Sequence, residues 1–326
     1  EPKAGEPADR VGVIEADWAA GRVRVLAEVP VHGRAHGLLA LSDGGFMAVA
    51  NRPGRWLLRC DAEGRLVRRI GNEEESPRRT FNGHVESSGE GGSGDWLYTT
   101  ETDTGSGEGY ISMRDARTLA RVAEFRTGGR DAHQLLRVPG DGTLVVANGG
   151  IVRDAEGRRI EAERMAPSLV HLAPHENGRL LGRWKLDDER LSIRHLAWSR
   201  GGADEGEGKG AAVPLLGLAL QAEHDREDQR RNAPTLAVWD GKALAIATAD
   251  ASAGGYAGDI AAGPGGGFVI SAQKARKSLW WHPAQPERLT MVAELTEPCA
   301  LASVDEGAGI LISAGRGAAR WQLRGA

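Results

Sequence analysis

Residues 34–51 read RAHGLLALSDGGFMAVAN, and the rest of the chain repeats variants of this unit. Two short apolar runs, residues 38–41 and 46–50, flank a turn that contains Asp-Gly. Such a pattern is typical of a β-hairpin. The polar residue His36 precedes the first run, and the amide of Asn51 follows the second.

The opening of this hairpin recurs at intervals of 40 to 64 residues. Four openings carry a histidine ahead of the apolar run, and two later openings are weaker. The openings are residues 34–38, 81–85, 131–135, 192–196, 258–261 and 298–301. A repeat of this length built from short strands is typical of the blades of a β-propeller.

Each repeat continues in the same way after its opening. A second apolar run ends at Asn51, Glu101, Asn148, Gln221, Gln273 and Gly315 in turn. Third and fourth apolar runs follow in most repeats, which predicts four-stranded antiparallel blades. We therefore predict an all-β fold, a single β-propeller domain over residues 1–326, with residues 1–10 as a flexible N-terminal segment.

The number of blades depends on how the two ends of the chain are counted. Residues 11–16 and 22–29 form two predicted strands before the first opening, and the last opening is followed by two more. Both ends supply a third strand, which favours seven blades. Six blades is the alternative, in which the two ends combine into one blade.

Composition excludes several classes of protein. The chain has 40% hydrophobic residues, 46 glycines and a formal net charge of -4, and no basic stretch that would bind nucleic acid. The sequence has no apolar run of about 18 residues, so no transmembrane segment is predicted. Cys60 and Cys299 define no disulfide framework and are predicted to be free thiols. No G-x-S-x-G or Walker motif is present, so no catalytic residue is predicted.

Charged and glycine-rich segments lie between the apolar runs. Residues 151–166, 201–210 and 223–232 are predicted solvated loops, with a short helical turn in residues 225–231. The glycine-rich residues 89–94 do not lead from a strand into a helix, so they are predicted to be a loop and not a phosphate cradle.

Blade topology brings many of the polar residues to one place. In up-and-down blades, the start of the first strand and the end of the second lie at the same mouth of the central channel. The residues predicted to bind a ligand there are Arg34, His36, Asn51, His84, Glu101, His133, Asn148, Arg194, His195 and Gln221.

Three interpretations of this polar mouth stay open. Imidazoles with a carboxylate suit Fe, Zn or Cu, and the predicted metal ligands are His36, His84, His133, His195 and Glu101. Arginines with amides suit a small anionic ligand. Alternatively, the polar side chains are fasteners, which tie one blade to the next.

Four segments carry a resemblance to a known family. They are YTTETDTGSGEGYISMRD (residues 98–115), HQLLRVPGDGTLVVANGGI (133–151), MAPSLVHL (165–172) and LSIRHLAW (191–198). Over residues 34–315 the chain resembles an exported bacterial family, domain-of-unknown-function family 1513. The family's characteristic positions map onto Arg34, His36, Gly37, His84, Glu101, His133, Asn148, Arg194 and His195. The loops 87–94, 203–208 and 223–232 depart from the family pattern.

The resemblance implies a setting for the protein. Members are similar to seven-bladed propellers, carry a twin-arginine-type export signal and are often encoded beside imelysin-like, iron-uptake-associated proteins. It therefore implies a periplasmic location and a periplasmic iron-uptake protein as the partner. No activity is established for the family, so no catalytic residue is carried over.

Together these observations favour a non-enzymatic periplasmic propeller that binds a small ligand, a metal or a protein partner in iron acquisition. One alternative is a metal-dependent hydrolase of lactonase type that uses Glu101 and the histidines around a divalent metal. The other is a scaffold that binds no ligand.

Overall fold

Antiparallel β-strands form nearly all of the regular structure. The computed structural model describes residues 9–154, 158–160, 162–200, 214–304 and 309–322. Of the predicted flexible segment 1–10, residues 1–8 lie outside the described residues, while Asp9 and Arg10 begin the first strand. The predicted loop 201–210, which includes the acidic residues 203–208, also lies outside them.

The chain divides into two compact units, Glu1–Arg164 with Val170–Gly182, and Met165–Leu169 with Arg183–Ala326. The division passes through the third blade. That the whole of residues 1–326 is a single domain stays a prediction.

The first unit contains a hairpin, the first two blades and most of the third. The hairpin is β1 (Asp9–Asp17) and β2 (Arg22–Val31). Blade one is β3 (Ala35–Ala40), β4 (Phe46–Ala50), β5 (Trp56–Cys60) and β6 (Leu66–Gly71), followed by helix α1 (Asn72–Glu75). Blade two is β7 (Arg79–Ser87), β8 (Trp96–Asp103), β9 (Glu108–Asp115) and β10 (Arg121–Arg130). Blade three begins with β11 (Ala132–Arg137) and β12 (Leu144–Asn148), then has the side hairpin β13 (Val152–Arg153) and β14 (Arg159–Ile160), and ends with β15 (Ser168–Ala173) and β16 (Arg179–Trp184).

The second unit contains the remaining blades. Blade four is β17 (Leu191–Trp198), β18 (Leu216–Ala222), β19 (Leu236–Trp239) and β20 (Leu244–Ile246), with helix α2 (Glu227–Asn232) between β18 and β19. Blade five is β21 (Asp259–Ala262), β22 (Phe268–Ala272), β23 (Lys277–Trp281) and β24 (Thr290–Glu294). Blade six is β25 (Pro298–Val304), β26 (Gly309–Ala314) and β27 (Gly317–Gln322). Short 3₁₀ turns occur at Glu90–Gly92, Ala162–Arg164, Pro174–Glu176, Pro264–Gly266 and Gln273–Ala275.

These sheets confirm the predicted β-propeller blades. In each, the strands pair in chain order, beginning with the strand that carries a predicted opening, except that in blade three β12 pairs with β15 past the side hairpin. Among the described residues there are six such sheets, five with four strands and one, blade six, with three. Six is therefore the blade count found, and the favoured count of seven is not. The reason is that β1 and β2 pair with each other as a separate two-stranded sheet instead of contributing to a seventh blade.

Packing in the first unit explains the continuous apolar run of β4. Met47 and Val49 point toward blade two and pack with Phe81 and Leu97. The alternate residues Ala48, Ala50, Trp56 and Leu58 pack against Val11, Val29 and Val31 of the hairpin. Both faces of blade one are therefore covered, which removes the usual alternation of apolar and polar residues along a strand.

The structure decides several local predictions. Helix α2 confirms the predicted helical turn in residues 225–231. The charged segment 151–166, predicted to be a loop, instead contains the hairpin β13–β14. Cys60 and Cys299 are both free thiols, as predicted, and burial raises the pKa of Cys60 to about 11. Neither helix of the described ranges has the length and apolar character needed to cross a membrane.

Candidate functional site

The histidines of the first three blades lie on neighbouring first strands. β7 packs between β3 and β11, so His36, His84 and His133 are carried by three adjacent elements. In each strand the histidine falls where the register with the second strand shifts: between Ala35 and Gly37, between Phe81 and Val85, and after Ala132. A β-bulge takes a residue out of the ladder and re-aims its side chain. The three imidazoles therefore leave the sheet pattern at equivalent positions.

Two glycines allow the first strands to approach each other closely. A Cβ atom on Gly37 would lie 2.3 Å from the carbonyl oxygen of Gly83. Gly83 has φ +99°, and a Cβ atom there would lie 2.5 Å from Cδ2 of His36. Glycine at both positions is what brings His36 against the strand that carries His84.

The three imidazoles, hereafter the histidine cluster, are in mutual contact. Nε2 of His36 and Nε2 of His84 lie 3.1 Å apart and form a hydrogen bond, in which one ring donates and the other accepts. The ring centroids are 4.8 Å apart for His36 and His84, 4.8 Å for His84 and His133, and 5.5 Å for His36 and His133. Each ring offers one nitrogen, and these nitrogens lie within 4.8 Å of one another. His84 and His133 are buried, and His36 is half-buried.

This geometry has the dimensions of a metal site. Metal–nitrogen bonds of about 2.0–2.1 Å place two ligand nitrogens about 3.3 Å apart in a tetrahedron. The 3.1 Å separation of the His36 and His84 nitrogens is close to that value. The nitrogen that His133 offers lies within 4.8 Å of the other two, so coordination by all three rings requires it to move inward.

An arginine and an aspartate, neither predicted as site residues, support the cluster. Nη1 of Arg52 donates to Oδ1 of Asp131 at 2.6 Å and contacts Nδ1 of His133 at 3.2 Å. Nε of Arg153 lies 3.5 Å from the same Asp131 oxygen. Asp131 is buried and has φ 54°, a left-handed conformation. Arg52 directly follows the predicted site residue Asn51 at the end of β4, which is the signal that could have drawn attention to it, whereas Arg153 lies in β13.

Glu101 lies in a buried ion pair. Its Oε1 accepts from Nη2 of Arg114 at 2.9 Å and from Oγ1 of Thr99 at 3.0 Å, and both charged side chains are fully buried. The group of potential metal ligands found among the described residues does not include Glu101. Its predicted role as a ligand stays a prediction.

Asn148 ties two blades together. Its Oδ1 accepts from Oγ1 of Thr127 at 2.7 Å, which joins β12 to β10. Arg34 and Asn51 are exposed, and the backbone N–H of Asn51 donates to the carbonyl of Arg34 at 2.8 Å. Of the predicted residues in the first unit, the structure thus brings together the three histidines, while Asn148 has the geometry of a fastener.

The predicted site residues of the second unit also lie at a bulge. Arg194 is buried at the register shift between Ile193 and His195. Nδ1 of His195 lies 3.1 Å from Oδ1 of Asp259, whose Oδ2 accepts from the backbone N–H of Leu301. This chain of contacts connects the first strands of blades four, five and six.

Gln221 makes a similar connection at the end of a second strand. Its Nε2 donates to the carbonyl of Ala257 at 3.2 Å. Gln273, in the corresponding place of blade five, donates to Sγ of Cys299 at 2.8 Å. Each amide therefore donates a hydrogen bond to a residue in or just before the first strand of the next blade.

Comparison with known proteins gives a family and a fold. The sequence profile of a family described as "Protein of unknown function (DUF1513)" matches residues 29–325. No curated protein matches the chain. Among solved structures, Kuenenia stuttgartiensis hydrazine synthase matches with a TM-score of 0.66 and 12% identity, over 96% of this chain and 89% of that one. At this identity the likeness concerns the fold alone.

Proposed function

Because the chain belongs to the DUF1513 family, whose function is unknown, we propose a function from the chemistry of its histidine cluster. The protein is a non-enzymatic propeller that binds a transition-metal ion through His36, His84 and His133. The observation that carries this proposal is the 3.1 Å separation of the His36 and His84 Nε2 atoms on converging strands. Neutral imidazoles suit Fe, Zn and Cu.

Two further predicted ligands bear on the composition of the site. The role of His195 as a ligand stays a prediction, because it rests on the equivalent opening of the fourth repeat. Glu101 would have to leave its buried partner Arg114, and removing one member of such a pair leaves an uncompensated buried charge. We therefore propose the centre without Glu101.

Charge favours a small anion as an additional ligand. Three neutral imidazoles leave the positive charge of a divalent ion uncompensated, in a site where two of the three rings are buried. A small carboxylate or similar anion at an open coordination position would offset that charge.

We also propose a periplasmic location, a role in iron acquisition and a periplasmic iron-uptake protein as partner. These three rest on the family resemblance. A cell-fractionation experiment with the full-length natural gene product tests the location, and recovery of the protein only in the cytoplasm would overturn it.

The competing functions have different support. The hydrolase of lactonase type needs Glu101 at the metal, and the pairing of Glu101 with Arg114 provides no support for that role. The scaffold without a ligand is favoured by the fastening contacts of Asn148 and Gln221. A functional test must therefore separate metal binding from fastening.

Elemental analysis of untagged protein, purified without chelators, is the direct test. We expect near-stoichiometric Fe, Zn or Cu, and loss of that metal in the variants His36→Ala, His84→Ala and His133→Ala. His175→Ala, which removes an exposed histidine of the same unit, is the matched control.

Thermal unfolding of the metal-free variants separates the two functions. If His36→Ala and His133→Ala lose the metal but keep the melting temperature of the metal-free parent, the cluster is a binding site. If the parent binds none of the three metals and both variants melt far below it, the histidines are fasteners and the proposal is wrong.

A further inference from the structure

His133 makes a contact that a metal ligand cannot keep. Nη1 of Arg52 lies 3.2 Å from its Nδ1. A guanidinium group stays protonated and has no acceptor atom, so Arg52 donates and Nδ1 of His133 accepts. A neutral imidazole has a single acceptor nitrogen, and the other nitrogen carries the hydrogen. In this state the only lone pair of His133 is used by Arg52.

Metal ligation needs that same lone pair. If the ion binds at Nδ1, it takes the place of the Arg52 N–H group. If it binds at Nε2, the hydrogen there must move to Nδ1, which then can no longer accept from Arg52. Ligation through either nitrogen is therefore incompatible with the Arg52–His133 hydrogen bond.

Arg52 can leave the imidazole ring while it keeps its ion pair with Asp131. Its 2.6 Å ion pair with Asp131 does not involve the imidazole. The side chain of Arg52 is 22% exposed, whereas that of Asp131 is 3% exposed, so the arginine is the partner with access to solvent. Asp131 thus keeps the guanidinium beside His133 whether or not the hydrogen bond to the ring is made.

We propose that Arg52 is a displaceable latch on His133, a positioning residue that competes with the metal ion for the ring and so sets the metal affinity of the histidine cluster. This inference rests on the proposed function. Without metal, the latch holds His133 in one tautomer. With metal, Arg52 moves off the ring and remains paired with Asp131.

A cobalt titration tests the latch. Co(II) binding to the full chain is followed by its visible absorption for the parent, for Arg52→Gln and for Arg153→Gln. Nε of Arg153 also faces Oδ1 of Asp131, so the Arg153 variant matches the change in charge next to that carboxylate. We expect Arg52→Gln to bind Co(II) about tenfold more tightly than the parent, because one charge-assisted hydrogen bond no longer competes. Tenfold corresponds to about 1.4 kcal/mol. Arg153→Gln should change the affinity by about twofold or less.

Nitrogen-15 NMR of the imidazole rings tests the same proposal without a variant. In the metal-free parent, His133 should carry its hydrogen on Nε2. On addition of Zn(II), its accepting nitrogen should become the metal ligand and the Arg52 contact should be lost. A metal-free His133 with its hydrogen on Nδ1 overturns the latch.

Two further outcomes distinguish a failure of the latch from a failure of the proposed metal binding. If the parent binds Co(II) but Arg52→Gln binds no more tightly than Arg153→Gln, the latch is wrong and the metal site stands. If neither parent nor variants bind Co(II), Fe(II), Zn(II) or Cu(II), the proposed function itself fails, and the latch with it.

Discussion

Gly83 has a backbone conformation that residues with a side chain rarely adopt. Its φ of +99° lies in the region that favours glycine, and the space next to its Cα is filled by the ring of His36. The meeting of two imidazoles therefore depends on the absence of a side chain between them. The site is specified by small residues as much as by its histidines.

We predict that Gly83→Ala will weaken metal binding and lower stability. The added methyl group would lie 2.5 Å from Cδ2 of His36, so the ring must move away from His84. Strain at the positive φ should cost about 1–2 kcal/mol. Co(II) titration and thermal unfolding measure the two effects.

Gly140→Ala is the control for that experiment. Gly140 has φ +85°, and a Cβ atom added there would have no other atom within 4 Å, so this variant carries the backbone cost alone. Equal losses of metal affinity in the two variants would contradict the steric explanation.

Glu86, on the same strand as His84, gives the unit a dependence on pH. Burial raises the pKa of its carboxyl from 4.5 to about 7, against the opposing effect of Arg137. A carboxyl whose pKa is higher in the folded state stabilises the fold below its unfolded pKa. That contribution is lost as the pH rises from about 4.5 through about 7.

We predict that Glu86→Gln will raise the melting temperature at pH 8 and leave it unchanged at pH 4. The amide is neutral in a partly buried position where a charge is unfavourable, so the gain should be on the order of 1 kcal/mol. Unfolding followed across this pH range measures the difference. Glu90→Gln, which alters an exposed carboxylate paired with Arg137, should show no such growth with pH.

At the scale of elements, β9 is tied to its neighbours by one buried cation. Arg114 contacts Glu101 of β8, Glu75 of helix α1 and the carbonyl of Leu119. Its guanidinium also lies over the ring of Phe81, at 5.2 Å from the centroid. A charge buried to this extent is tolerated because each side of it meets an acceptor or an aromatic face.

This arrangement predicts that Glu101→Gln will destabilise the protein by about 3 kcal/mol without changing its metal affinity. The reason is that Arg114 loses its fully buried partner while the histidine cluster is untouched. Glu75→Gln removes a carboxylate that is 26% exposed and should cost less. Denaturant unfolding and Co(II) titration give the two values, and a loss of Co(II) affinity at full stability would restore Glu101 as a ligand.

The repeated bulges are the element-level feature that sequence patterns did not predict. The spacing of His36, His84 and His133 identified equivalent positions in three blades. It did not predict that each lies at a register shift, since a bulge leaves the apolar pattern on either side unchanged. The alternation of residues along a strand therefore could not predict the direction of the rings or their contact with one another.

At the scale of the whole molecule, the fold was largely predictable because each blade repeats the same succession of short apolar runs and turns. The blade count was harder. β1 and β2 have the length and composition of blade strands, and only packing decides that they form a separate sheet over Trp56 and Leu58. Apolar strands do not encode which face of a sheet they will cover.

The contact between the supporting residues of the site could not be predicted for a related reason. Arg52 and Asp131 are 79 positions apart and belong to different repeats. Charged residues in loops are common, so neither stood out from the solvated loops around it. Their pairing is a product of the way in which blades one, two and three are assembled.

That pairing has an evolutionary consequence. Repeat proteins change length by gaining or losing whole units. Arg52 follows the second strand of blade one, and its side chain contacts Asp131 at the opening of blade three. Blade two lies between them in the chain. Duplication or deletion of a blade between them would separate Arg52 from Asp131 and remove the contact of Arg52 with His133. We therefore expect the first three repeats to be retained together, and differences in blade number between related chains to fall elsewhere along the sequence.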